Sequence, residues 1–383
     1  DPSTPEEAEL RERFEPLVEI YQHKGSSECR WDPRIGAGVD TRDKFCDFEL
    51  IDSGETFTVE EKSDDPPSLS DFPARSYVRN VLKDGMKLEQ DLGLNPFKLG
   101  IIGATDSHSG AMGLTAETNV SGGSVGILDA NPVRTSTIQY SPGGLSVVWA
   151  EENTRESIFG ALKRRETYGT SGTRIQVRLF GGWDFSTASC NNPAELVQTG
   201  YNQGVPMGQD LLPKSSDAPQ FIVQAQMDDF PPEEGTPLDR IQIIKGWVDS
   251  EGETHEKVFH VAGDNNTATK TVDPLTCKSA EPGHQTLCQV FTDPEFDPVK
   301  PAFYYARVLE KPVCRYSTRY CRVHFGVDPL SENCEGQLAD LENSIKAMNA
   351  QACCSNESTM PIVQPVIQER AWTSPIWYTP SSS

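Results

Sequence analysis

The run Leu99-Gly100-Ile101-Ile102-Gly103 leads through Ala104-Thr105 into Asp106-Ser107-His108 and further glycines. An apolar stretch on consecutive positions, bounded by glycine, is the pattern of a strand buried on both faces, as in a parallel sheet. That feature places the chain in the α/β class. An acid and an imidazole at the carboxyl end of such a strand stand where α/β folds carry their chemistry. The plainer alternative is a strand followed by a polar turn, with Asp106 as a cap and His108 on the surface.

The flanking segments agree with an α/β order. Glu6 to Phe14 has helical composition, and Leu17 to Gln22 reads as a strand that runs into "HKGSSEC". Residues 30–66 are irregular. Ser76 to Leu92 carries Val78, Val81, Leu82, Met86, Leu88 and Leu92 at helical spacing, with an irregularity at Gly85, and Asn95-Pro96 ends it. Residues 109–145 are a Gly/Ser/Thr-rich loop over the sheet edge. A second helix follows, with Asn153 as N-cap, Glu156 as capping partner and Ile158, Phe159 and Leu162 as its buried stripe. Beyond Thr173, runs such as "RIQVRLF", "QFIVQAQM", "RIQIIKGWV" and "AFYYARVLE" alternate with turns, which predicts a β-sandwich-like module. The predicted organisation is residues 1–172 and residues 173–383, with no long helix in the second part before "LADLENSIKAMNA".

Charge and cysteine narrow the function classes. With 57 acids against 34 bases, the net charge of −23 disfavours nucleic acid and anionic membranes, and no apolar run is long enough to span a bilayer. Ten cysteines without a C-x2-C pair argue against a zinc ribbon and for disulfides in an oxidising compartment. Short-range closure suggests Cys29–Cys46, Cys277–Cys288 and Cys314–Cys321, with the connectivity left open. The chain opens on "DPSTPEEAEL", without an initiator methionine, and this favours a processed amino end. A periplasmic or secreted location is expected.

Four stretches together, "VEIYQHKGSSECRWD" with "DKFCDFEL", "NPFKLGIIGATDSHSG", "GLSVVWAEENTRESIFGALKRRETYGTSGTRI" and "IQERAWTSPIWYTP", resemble the bacterial domain of unknown function 3604 family. That family is similar to the polymerase-and-histidinol-phosphatase (PHP) superfamily of metallohydrolases. The resemblance implies the carboxyl-terminal part of a distorted (β/α)7 barrel, followed here by the β-rich module. It also implies divalent metal ions (Zn, Mn or Fe) at the carboxyl ends of the barrel strands, with Asp106 and His108 matching the last ligand pair. Superfamily members begin with an H-x-H strand that this sequence lacks. An amino-terminal fragment of the same precursor is therefore the expected partner, bringing those ligands.

On this reading His23, Lys24 and Glu28, just after the first strand, are the catalytic candidates. His23 contacts or supports a metal, Lys24 neutralises substrate charge, and Glu28 orients one of them. The alternative leaves them solvated or paired on a disulfide-tied loop. Thr170 and Ser171, between Gly169 and Gly172, and Arg174 just beyond them are candidates for gripping an anion, or else a helix cap and hinge. Trp372 and Trp377 are read as core, and His255, His260, His284 and His324 as structural. The expected activity is attack of metal-activated water on a small phosphoester or other ester. The alternative is a non-catalytic extracellular binding or structural protein that keeps the scaffold.

Overall fold

The computed structural model describes residues 2–33, 35–50, 73–106, 113, 115, 141–214, 217–229, 235–265, 271–341, 350–354 and 364–380. Strand Leu17–Gln22 pairs in parallel with Gly100–Gly103, Leu17 opposite Gly100 and Val18 opposite Ile101. The register slips between Glu19 and Tyr21, so Ile20 is an extra residue and both Ile20 and Tyr21 enter the core. On its other edge, among the described residues, this strand pairs with the short Gly25–Ser26 strand, opposite Tyr21 and Gln22.

Helix Val78–Leu92 covers one face of the pair. Val78, Leu82 and Met86 recur every fourth residue and pack with Ile20 and Ile101. Its interior glycine has a packing reason: a Cβ on Gly85 would lie 2.2 Å from Asn95 Oδ1. The other face of the pair, with Leu17, Glu19 and Ile102, is only partly covered.

The β-rich part is a sandwich. One sheet runs Gly204–Pro206, Gln176–Gly182, Gln220–Gln226 and Thr286–Thr292, all antiparallel. The other is built around Ala302–Glu310, which pairs on one edge with Leu238–Val248. Its opposite edge takes Arg370–Thr373 and Ile376–Tyr378 in succession. Val177, Leu179, Phe221 and Val223 face Ile241, Ile243, Tyr304 and Val308 across the interior.

This second sheet passes through the expected boundary at Thr173. Leu145–Val148 pairs with Thr167–Thr170, which pairs with Arg370–Thr373. A second core mixes Ile20, Tyr21 and Ile101 with Tyr305, Trp372 and Trp377. Among the described residues no barrel closes; the molecule is a mixed α/β structure of several sheets with more strand than helix.

Several expectations need correction. Thr154, not Asn153, caps helix Arg155–Lys163, accepting from the Ser157 amide. Of the stripe expected on that helix, Ile158 and Leu162 are half-buried, whereas Phe159 is 62 % exposed. Helix Pro193–Gln203 was not expected, although Asn192 before Pro193 is a capping signal. Cys29–Cys46 forms as expected, but the other bridges are Cys190–Cys288, Cys277–Cys314, Cys321–Cys353 and Cys334–Cys354. Tertiary contacts between helices, strands and loops bring distant cysteines together where sequence spacing suggested near neighbours. Five bridges fit an extracellular protein, and no described helix is long and apolar enough to cross a membrane.

Candidate functional site

Three strands of like direction end at one level. Gly100–Gly103 follows Leu17–Gln22 in parallel, and Thr167–Thr170 runs beside it, with Gly169 against the Ile102–Gly103 peptide. Beyond the strand ends lie His23-Lys24, Thr105-Asp106 and Ser171-Gly172. The Gly143-Gly144 pair wedges between them. A Cβ on Gly144 would fall 2.5 Å from the Thr170 carbonyl oxygen and 3.0 Å from that of Tyr21. Backbone hydrogen bonds seal the junction: Ala104 to Tyr21, Gly144 to Ala104 and Ser141 to His23.

His23 is 6 % exposed and its ring orientation is fixed. Nδ1 lies 3.0 Å from the Thr105 carbonyl oxygen. A carbonyl only accepts, so Nδ1 carries the hydrogen. Nδ1 is also 3.7 Å from a carboxylate oxygen of Asp106, whose side chain is 43 % exposed. Asp106 holds a left-handed φ of 50°, sparsely populated by residues other than glycine, asparagine and aspartate, and such backbone clusters at functional sites. His108 lies outside the described residues.

Two further charges share this edge. Burial raises the pKa of the half-buried Glu19, with the Asp106 charge adding to it and Lys24 opposing it. Lys24 is exposed by surface area and donates to Ser27 Oγ over 2.6 Å. The surrounding loop still desolvates its ammonium enough to lower its pKa, against the pull of Glu19 and Asp106.

Glu28 is placed quite differently. It is 1 % exposed, and its carboxylate accepts from Arg79 (2.6 Å), Tyr305 (2.7 Å), Trp372 Nε1 (2.7 Å) and Arg307 (3.1 Å to each oxygen). Burial would raise its pKa, but the Arg307 and Arg79 guanidiniums overturn this and hold it well below the carboxylate range. Asp43 accepts from the same two arginines, at 2.8 Å from Arg307 and 3.0 Å from Arg79. Arg370, buried beside Arg307, is pushed down to about 10. Glu28 thus joins the first strand to the β-rich part; its hydrogen bonds go to that cluster, not to His23 or Lys24.

The Thr170 and Ser171 hydroxyls turn inward. Thr170 Oγ1 donates to the Thr173 carbonyl over 2.6 Å. Ser171 Oγ donates to Glu369 and accepts from the Arg370 amide. Gly172, at φ 122°, completes this turn against Thr115. The amide of Arg174 donates to Asp228 over 3.0 Å. The turn sits at the same edge as His23 and Asp106, so the two groups of candidates do converge. Trp372 and Trp377 are core, as expected. What the sequence did not disclose is the buried cluster of Arg79, Asp43, Arg307 and Arg370 around Glu28; a charged pair at Arg79 and Lys83 within an apolar helix face was its one visible sign.

The donors at this edge, an oriented imidazole and a carboxylate, are of the type that divalent transition metals take. Cys29, Asp43 and Cys46 also approach one another, but both sulfurs are committed to their disulfide and Asp43 to its arginines. A separate cavity of about 560 Å³, lined by Ser317, Thr318, Asn333 and Glu335 among others, lies in the disulfide-tied region and not at the strand ends. Comparison with curated proteins and with solved structures finds no match. The model of a family described as protein of unknown function (DUF3604) matches residues 1–337, a span that holds all three strand ends, and on that evidence the chain belongs to the DUF3604 family.

Proposed function

We propose that the strand-end edge is the carboxyl-terminal share of a PHP-type hydrolytic site, acting on a small phosphoester or other ester in the periplasm or outside the cell. The observation that carries this reading is the meeting at the strand ends of the buried His23 ring, held by its Nδ1–Thr105 hydrogen bond, with the Asp106 carboxylate 3.7 Å from Nδ1. Asp106 and His23 would hold a divalent ion, with His108 as the expected further ligand. When bound, the ion supplies acidified water and a positive charge for the ester oxygen. Lys24, held on Ser27 Oγ, contributes a cation at the rim, and the Thr170–Ser171 turn bounds the opposite side. Glu28 stays with its arginine cluster behind the edge and takes no part in this reading.

The half-buried face of Leu17, Glu19 and Ile102 supports a further part of the proposal. Parallel strands are almost always covered on both faces, so a preceding segment of the precursor packs here and adds ligands. The inward-turned hydroxyls of Thr170 and Ser171 favour the second reading, a non-catalytic extracellular scaffold. Titration of the native protein with Mn²⁺ and Zn²⁺, together with hydrolysis of p-nitrophenyl phosphate and p-nitrophenyl acetate, separates the two. Metal binding with turnover supports the hydrolase. Absence of both, with intact mass showing every precursor segment present, leaves the scaffold.

A further inference from the structure

Strand Gly100–Gly103 and strand Thr167–Thr170 lie side by side, yet no backbone ladder joins them. On the side facing Thr167, both polar groups of Ile101 are met by hydroxyls. The Ile101 amide donates to Ser374 Oγ over 2.8 Å, and the Ile101 carbonyl accepts from Thr167 Oγ1 over 2.9 Å. Ser374 Oγ in turn donates to the Thr167 carbonyl over 2.6 Å. Each hydroxyl has one hydrogen and both are spent on carbonyls, so the 3.0 Å between the two oxygens is packing, not a further bond. Both residues are fully buried.

We infer that Ser374 and Thr167 are a positioning pair: their hydroxyls replace a backbone ladder and set the spacing between the Asp106 edge and the Thr170–Ser171 turn. The inference rests on the proposed site for its functional meaning. The joint is short and admits little slack. Ile101 precedes Asp106 by five residues on one strand, and Thr167 precedes Ser171 by four on the other. A relaxed joint shifts one group of candidates against the other, while the ladder from Leu17–Gln22 keeps His23 on Thr105.

The test uses the native protein and the variants S374A, T167V and S374T. Hydrogen exchange read by mass spectrometry is expected to quicken at least tenfold in peptides spanning 99–106 and 141–148 for S374A and T167V, with peptides of 220–226 unchanged. Mn²⁺ affinity should stay within twofold of the native protein. The KM for p-nitrophenyl phosphate should rise at least tenfold with a smaller change in kcat, and S374T should restore it. A Leu82→Val variant controls for general destabilisation and should leave KM unmoved. Exchange in 99–106 that matches the native protein, or that quickens evenly along the chain, overturns the inference. If the native protein turns over no substrate, the hydrolase reading fails and the exchange experiment still decides the joint. If S374A does not fold, T167V carries the same comparison.

Discussion

Glu28→Gln is the sharpest perturbation, because it separates a working group from a structural one. The substitution keeps the side-chain shape and removes one charge. It also sets an amide NH2 against donors whichever way it turns, since both carboxylate oxygens accept only from N–H and O–H groups of Arg79, Tyr305, Arg307 and Trp372. Removing one partner of a buried ion pair costs about 3–5 kcal/mol. Here Arg79, Arg307 and Arg370 would be left with Asp43 and Glu256 as counter-charges. With a urea slope of about 3 kcal/mol per M, the unfolding midpoint falls by about 1 M or more. The sign with pH follows from the lowered pKa. The stabilisation is fully present above the unfolded carboxylate pKa of about 4.3 and is lost only as pH falls below it toward the folded value. Urea melts at several pH values should therefore show a constant gap between native and variant from pH 5 to 8 (roughly the range above that pKa), narrowing in stronger acid. A variant as stable as the native protein but devoid of metal binding or turnover would refute this reasoning and return Glu28 to the catalytic group.

Asp106→Asn keeps a residue that tolerates the φ of 50° and removes the charge. Its urea midpoint should be unchanged, while Mn²⁺ affinity measured by calorimetry falls by more than the about 10–100-fold that changing a ligand's supporting partner costs. Gly169→Ala drives a methyl to 2.7 Å from the Ile102 carbonyl carbon and should destabilise by about 1–3 kcal/mol or more in the same melts. The double variant C29A/C46A opens a bridge of sequence separation 17 and should lose about 3 kcal/mol. Non-reducing peptide mapping of the native protein should recover all five pairings, and a free thiol at any position would contradict the structure.

Local pattern disclosed local structure. The apolar run at Leu99–Gly103 became the parallel strand, the fourfold spacing from Val78 became the covering helix, and the alternating runs beyond Thr173 became the sandwich. The meeting of His23 with Asp106 was legible because both follow strands of one parallel pair. Glu28 was not legible, since its partners lie 51, 277, 279 and 344 residues away and nothing near it in sequence hints at burial. The uncovered Phe159 escaped for a related reason: amphipathic spacing fixes which side of a helix is apolar, not whether anything packs on it. The disulfide pairings followed tertiary contacts that spacing does not encode.

The buried link from Glu28 to Trp372 has a bearing on the order of biogenesis. Glu28 emerges from the ribosome 344 residues before the indole that completes its carboxylate cluster, and Ile101 emerges 273 residues before Ser374. Until the Arg370–Tyr378 segment arrives, a carboxylate, several guanidiniums and one strand flank stay hydrated. The strand-end edge is thus among the last parts to consolidate, gated by distant closure and not by local helix formation. Nascent chains halted before residue 370 should expose the Glu28 cluster and the Ile101 flank to protease and to chaperones, whereas the completed chain buries both.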